Sequence, residues 1–185
     1  MAKPILSVSG LDASFRSGNL WVPVVRNLSF EIAPGSTLAM VGGSGSGKSV
    51  TAQTIMRLLP SPPSSIDAGR ILFDGRDVSH SSPEERNIAQ VFQFPVIYDT
   101  MTVAENLGFP LRNRRVPADQ IKKRVGEIAE MLDMSGQLNQ RASGLSADAK
   151  QKISLGRGLV RSDVSAVLFD EPLTVIDPHL KWQLR

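Results

Sequence analysis

The 185-residue sequence has no cysteine. That excludes a disulfide framework and any zinc site built on thiolates, and it fits a reducing compartment. Histidine is nearly absent too: His80 and His179 are too few to build an imidazole metal cluster. No apolar run approaches the ~20 residues that span a bilayer, and the first ten residues lack the basic start and long apolar stretch of a signal peptide. The expectation is a soluble chain that meets a membrane only through a partner. Neither sign of charge dominates, with 21 basic against 18 acidic residues and a formal charge of +3. The local clusters Arg112–Arg115 and Lys122–Arg124 read as solvated faces, so no nucleic-acid partner is expected. With 41% apolar residues, the length suits one domain with a real core and a small attached subdomain.

The most informative stretch is Met40-Val41-Gly42-Gly43-Ser44-Gly45-Ser46-Gly47-Lys48-Ser49, which fits G-x-x-x-x-G-K-[ST] with Gly42, Gly47, Lys48 and Ser49 in register. Thr37–Val41 before it has strand composition. Lys48–Leu59 after it carries Val50, Ile55, Leu58 and Leu59 at helical spacing. Backbone N–H groups can converge on phosphate oxygens only where side chains are absent and positive φ is cheap, which Gly42, Gly43, Gly45 and Gly47 provide. The helix that follows turns its positive end toward the same phosphates. Lys48 adds a full charge near the β and γ groups, and the Ser49 hydroxyl is a ligand for Mg²⁺. The nucleotide-binding stretch is therefore read as Gly42, Gly43, Ser44, Gly45, Ser46, Gly47, Lys48, Ser49 and Val50. The loop alone does not separate kinases, GTPases and ATPases.

Strands are expected at Pro4–Ser9 and within Val22–Ala33, closed by the turn Pro34-Gly35. Phe15 is a candidate for stacking on an adenine face, and Trp21 a weaker one. Pro60–Gly69 reads as a loop, Arg70–Asp74 as a strand and Asp74-Gly75 as a turn. A strand over Asn87–Phe92 delivers Gln93 beside Phe94-Pro95. Helices are expected over Thr102–Gly108 and Pro117–Met134, the second with Ile121, Val125, Ile128 and Leu132 on one face. Ser146 is the expected N-cap of a further helix running to about Arg161. The apolar strand Val164–Phe169 then ends in Asp170-Glu171.

Taken in order, the loop Gly42–Ser49, Gln93, the segment Leu145–Ala149, the strand ending at Asp170-Glu171, and Asp177 resemble the ATP-binding subunit of an ABC transporter over nearly all of the chain. The resemblance implies an α/β P-loop NTPase fold (ABC ATPase-like) with a mainly parallel core sheet, an N-terminal antiparallel β subdomain and a helical subdomain at about residues 94–161. It makes residues 1–185 one ATP-binding domain, with ATP and Mg²⁺ as its cofactors. An aspartate at a strand end suits the Mg²⁺ shell, and the next carboxylate suits activation of a water. Asp170 is therefore the metal candidate, alongside Ser49 and Gln93, and Glu171 the catalytic base, alongside Lys48 and Gln93. Gln93 also senses the γ-phosphate by this resemblance. By the same resemblance Ser146 completes the nucleotide site of a second ATPase subunit, identical (homodimer) or different (heterodimer). The implied partners are membrane-embedded permease subunits, with a solute-binding protein acting indirectly, and the implied place is the cytoplasmic face of the plasma membrane.

Departures are equally specific. Where the family carries Leu-Ser-Gly-Gly-Gln, this chain has Leu145-Ser146-Ala147-Asp148-Ala149. Asp148 suits the start of its own helix but stands where a partner's γ-phosphate should arrive, so a different ATPase subunit is the expected companion. Val41–Leu59 resembles dipeptide and oligopeptide importers. By contrast, Arg86–Leu111, Gln151–Arg161 and Leu168–Trp182 resemble glycerol and sugar importers, so the chain reads as a mosaic joined between Gly69 and Arg86. Family members continue for several tens of residues past the equivalent of Arg185, carrying another core strand and a switch histidine; His179 does not replace the latter. The sequence is accordingly read as C-terminally truncated, with a marginal or dimer-dependent fold. Two other functions stay open: a nucleotide-binding subunit without turnover, and a non-transport ABC-type ATPase.

Overall fold

A long hairpin opens the chain. Strands β1 (Leu6–Ser17) and β2 (Leu20–Ile32) run antiparallel, from Leu6 opposite Ile32 to Ser17 opposite Leu20. In this computed structural model residues 3–170 are described, and the chain divides into two compact units, Met1–Ile88 and Ala89–Arg185.

In the first unit β3 (Ser64–Phe73) pairs antiparallel with the other side of β1, and the short β4 (Arg76–Asp77) pairs with β3, giving the order β2-β1-β3-β4. The antiparallel N-terminal sheet is as the resemblance implied. Leu6, Val8, Leu11 and Ala13 of β1 are buried with Ile71 and Phe73 of β3. Strict alternation breaks at register shifts between Val8 and Ser14. Gly69 crosses there: a Cβ on it would lie 2.6 Å from Leu11 Cα, and its φ is +110°. A side chain at that position would push β3 off β1. Asp74 and Gly75, with φ of 47° and 72°, form the tight turn into β4. Helix α1 (Lys48–Met56) completes this unit.

Two expectations change. Residues 64–69, expected in a loop, are strand, because β1 offers an open edge on which Ser64 meets Phe15 and Ala68 meets Asp12. Tertiary pairing there overrides weak local propensity. Thr37–Val41, expected as a strand, belongs to none, and Val41 is 92% exposed. A strand exists through its ladder partners, and neither sheet of the described residues supplies one beside this segment. The described residues form a four-stranded antiparallel sheet and a two-stranded sheet.

The second unit is helical around a short sheet in which β5 (Ile88–Val91), starting on the last residue of the first unit, pairs with β6 (Ala166–Phe169). Helices α2 (Val103–Asn113), α3 (Ala118–Met131) and α4 (Ala147–Leu159) enclose a core that includes Leu107, Ile128, Leu132, Met134 and Ile153. The apolar stripe expected on α3 is buried here through Val125, Ile128 and Leu132, with Ile121 packed at its edge. Helix α2 outruns its expected end at Gly108: Pro110 sits within its last turn, and buried Leu111 anchors that turn to the core.

Thr102 starts α2 with a capping box. Its hydroxyl accepts from Glu105 N at 3.2 Å, and its own N–H donates to Glu105 Oε2 at 2.8 Å. Thr102→Ala is expected to cost about 1 kcal/mol, read as a lowered urea midpoint at unchanged slope.

Candidate functional site

The glycine-rich loop hands over to α1 at Gly47, which caps the helix with φ of 87° and no side-chain hydrogen bond. By helix geometry the N–H groups of the first turn of α1 point out of its N-terminal end. The first intrahelical bond runs from Thr51 N to Gly47 O at 2.8 Å. No acidic residue stands in this first turn. The helix end therefore presents its partial positive charge outward, a setting for a bound anion.

Gly47 resists replacement through its backbone, and a side chain on Gly42 would have to displace the Ser46 hydroxyl. A Cβ on Gly42 would lie 2.6 Å from Ser46 Oγ, and one on Gly47 would lie 3.2 Å from the Val24 carbonyl oxygen at a φ of +87°. Gly45, with φ of +78°, has the same need of positive φ. Lys48 arches back over the loop, its Nζ donating to Gly42 O at 2.7 Å, Gly43 O at 2.9 Å and Ser46 Oγ at 3.4 Å. One ammonium thus closes the segment from Gly42 to Ser46.

The backing of this cradle was not legible in the loop pattern. Buried Thr51 turns its hydroxyl back to Gly47 O at 2.9 Å, and Val24 of β2 lies against Gly47. The cradle therefore shares β2 with Phe15, whose partner in the ladder is Val22. Phe15 is half-buried, and Trp21 lies opposite Arg16 near the hairpin end.

In the second unit β5 leads to Gln93 and β6 to Asp170. The Asp170 N–H donates to Val91 O at 2.9 Å, so these two candidates end neighbouring strands. Both are half-buried. Ser146 caps α4 as expected, its hydroxyl accepting from Ala149 N at 3.2 Å. Asp148, in the first turn, reaches Lys152 Nζ at 3.6 Å. The described candidates thus fall into a cradle (Gly42–Val50) with Phe15 in one unit, and Gln93, Ser146 and Asp170 in the other. Glu171, Asp177 and His179 lie outside the described residues. Among the described residues no three His, Asp or Glu side chains cluster to hold a metal ion.

The residue types of Gly42–Val50 fit the phosphates of a nucleotide: a glycine-rich loop, a helix N-terminus and a lysine. A glycine-rich P-loop at the start of α1 marks a P-loop NTPase.

The chain belongs to the ABC transporter family, whose sequence profile matches residues 25–174. An uncharacterised ABC transporter ATP-binding protein of Sinorhizobium fredii is 36% identical over 185 residues, which is 100% of this chain and 52% of that protein. An sn-glycerol-3-phosphate import ATP-binding protein of Rhizobium etli is 39% identical over 164 residues, 89% of this chain and 46% of the relative. One of the same description from Bordetella avium is 38% identical over 180 residues, covering 97% and 47% respectively. The chain spans about half the length of the curated relatives it matches. Since the Sinorhizobium protein aligns along the whole chain, the mixed resemblance of the two parts needs no junction between Gly69 and Arg86.

Proposed function

We propose that this chain is the ATP-binding and ATP-hydrolysing part of an importer subunit, energising solute uptake through membrane-embedded permease subunits from the cytoplasmic face of the plasma membrane. The observation that carries this reading is the cradle. Its glycine-specific backbone, uncapped helix end and overarching lysine come together within Gly42–Val50. Lys48 and the loop N–H groups would hold the β- and γ-phosphates, and Ser49, Asp170 and Gln93 are the residues that would hold Mg²⁺. Phe15 supports the adenine, and Glu171 takes the proton of the attacking water. The relatives named for sn-glycerol-3-phosphate import favour a solute of the glycerol class over a peptide.

Among the described residues no helix is long and apolar enough to cross a membrane. The second unit offers a permease partner a surface. A cavity of about 220 Å³ is lined by Phe92, Val96, Pro110 and Arg157, and Phe94, between Phe92 and Val96 in the chain, is 74% exposed. A solute-binding protein acts through that permease. The test is phosphate release from ATP by the chain assembled with its permease: release that requires Lys48 supports the reading. An assembled complex that binds ATP without releasing phosphate would favour the subunit without turnover.

Asp148 is the observation that favours an unequal pair of ATPase subunits. A carboxylate about 5 Å from a partner's γ-phosphate repels it by roughly 3 kcal/mol at an effective dielectric of about 20, and the Lys152 ammonium offsets part of that. A remaining penalty of about 1 kcal/mol corresponds to about fivefold in rate. Asp148→Gly is therefore expected to raise turnover of the assembled complex by about fivefold or more. Unchanged turnover would contradict the unequal pair.

A further inference from the structure

Arg86 is 1% exposed, the largest of the fully buried side chains. Its guanidinium meets backbone carbonyls from two places. Nε donates to Ser81 O at 3.2 Å, and Nη2 donates to Ser79 O and Ser81 O, each at 3.2 Å. Nη1 donates to Ile55 O, in the last turn of α1. The neighbouring carbonyls of that turn are already bound: Gln53 O accepts from Leu58 N at 2.8 Å and Thr54 O from Arg57 N at 3.0 Å. Arg86 thus takes a carbonyl that a helix end would otherwise leave unpaired.

A second cation strengthens the same joint. Arg57, with φ of 55° at the C-cap of α1, sends Nη1 to His80 O and to Ser81 O, the latter at 3.3 Å. Burial, and then the nearby Arg57 charge, hold the Arg86 pKa down to about 10, which leaves it charged at neutral pH. Burying a cation with only carbonyls for company is costly, and apolar side chains of similar size would fill the space. Its planar fork can bind the end of α1 and the 79–81 turn at once, and its charge faces the negative end of the helix.

The cradle occupies the other end of this helix, about 13 Å away for nine residues at 1.5 Å each. We propose that Arg86 is a positioning residue for the nucleotide: by fastening the last turn of α1 to the 79–81 turn it fixes the axis along which Lys48, Ser49 and Val50 meet the phosphates. This rests on the reading of Gly42–Val50 as a nucleotide cradle.

The test uses the full chain with Arg86→Met, which keeps the volume and loses the fork, and Arg86→Lys, which keeps the charge and loses the planar geometry. Dissociation constants for Mg-ATP and for inorganic pyrophosphate are measured where each variant is folded by circular dichroism. Hydrogen exchange along Lys48–Met56 is followed in parallel. Arg86→Met is expected to weaken both ligands by about tenfold and to lose protection along α1, with Arg86→Lys in between. A folded Arg86→Met that binds Mg-ATP as the parent does would overturn the proposal. Should Arg86→Met not fold, Arg86→Lys decides: parental affinity overturns it, weakened binding of both ligands supports it. A parent that binds neither ligand defeats the cradle reading itself, an outcome distinct from equal binding by parent and variants.

Discussion

Gly156→Val is expected to destabilise the chain by about 3 kcal/mol or more and to lower its thermal midpoint by roughly 6 to 12 °C. Gly156 is the point where α4 comes nearest the other helices. A Cβ there would lie 2.4 Å from Leu107 Cδ2, 2.9 Å from Leu132 Cδ1 and 3.0 Å from Ile128 Cγ2. Each of those residues is 0% exposed, so none can swing toward solvent to make room. Valine adds two methyl groups beyond that Cβ, and a core already at crystal-like density can take them only by separating the helices. Gly156→Ala should cost less, because the nearest atoms are methyl ends of leucine and isoleucine that can shift by fractions of an ångström. An unchanged midpoint in Gly156→Val would contradict the packing of α4 described here.

Glu171→Gln is expected to lower ATP turnover of the assembled complex by about 10²- to 10⁴-fold while leaving ATP affinity near that of the parent. Asp170 ends β6 with its N–H bound to Val91 O at 2.9 Å, so the metal candidate is fixed to the strand that leads to Gln93. Glu171, the next residue, lies outside the described residues, and its role rests on its place in the sequence and on the family resemblance. Glutamine preserves the shape and hydrogen-bonding reach of the side chain but cannot accept the proton of the attacking water. A loss of turnover with retained binding is the signature of an interaction made only in the transition state. Turnover within about threefold of the parent would remove Glu171 from the proposed chemistry.

The parts of the fold that were legible in the sequence are those fixed by neighbours in the chain. The stripe Val125, Ile128, Leu132 marked α3, Ser146 marked the start of α4, and Asp74-Gly75 marked a turn, because spacing, capping and positive φ act over a few residues. What was not legible depends on partners far along the chain. The strand from Ser64 exists because Phe15 and Asp12 of β1 accept it. Residues 37–41 have strand composition and no ladder beside them. The helix expected to end at Gly108 runs on to Asn113, where buried Leu111 holds its last turn. The candidate site divides in the same way. Gly42–Ser49 announces its chemistry through residue type and spacing, whereas Thr51, Val24 and Arg86 support it through contacts that no local pattern encodes.

The central claim is that Gly42–Val50 forms a working cradle for Mg-ATP. Thermal unfolding of the chain with and without Mg-ATP, alongside Lys48→Ala, tests it most directly. Ligand at about 100 times its dissociation constant should add about 2.7 kcal/mol, a rise of roughly 5 to 10 °C for a chain of this size. Lys48→Ala, which removes the ammonium bound to Gly42 O and Gly43 O, should abolish that rise. An equal rise in parent and Lys48→Ala, or none in the parent, would contradict the account.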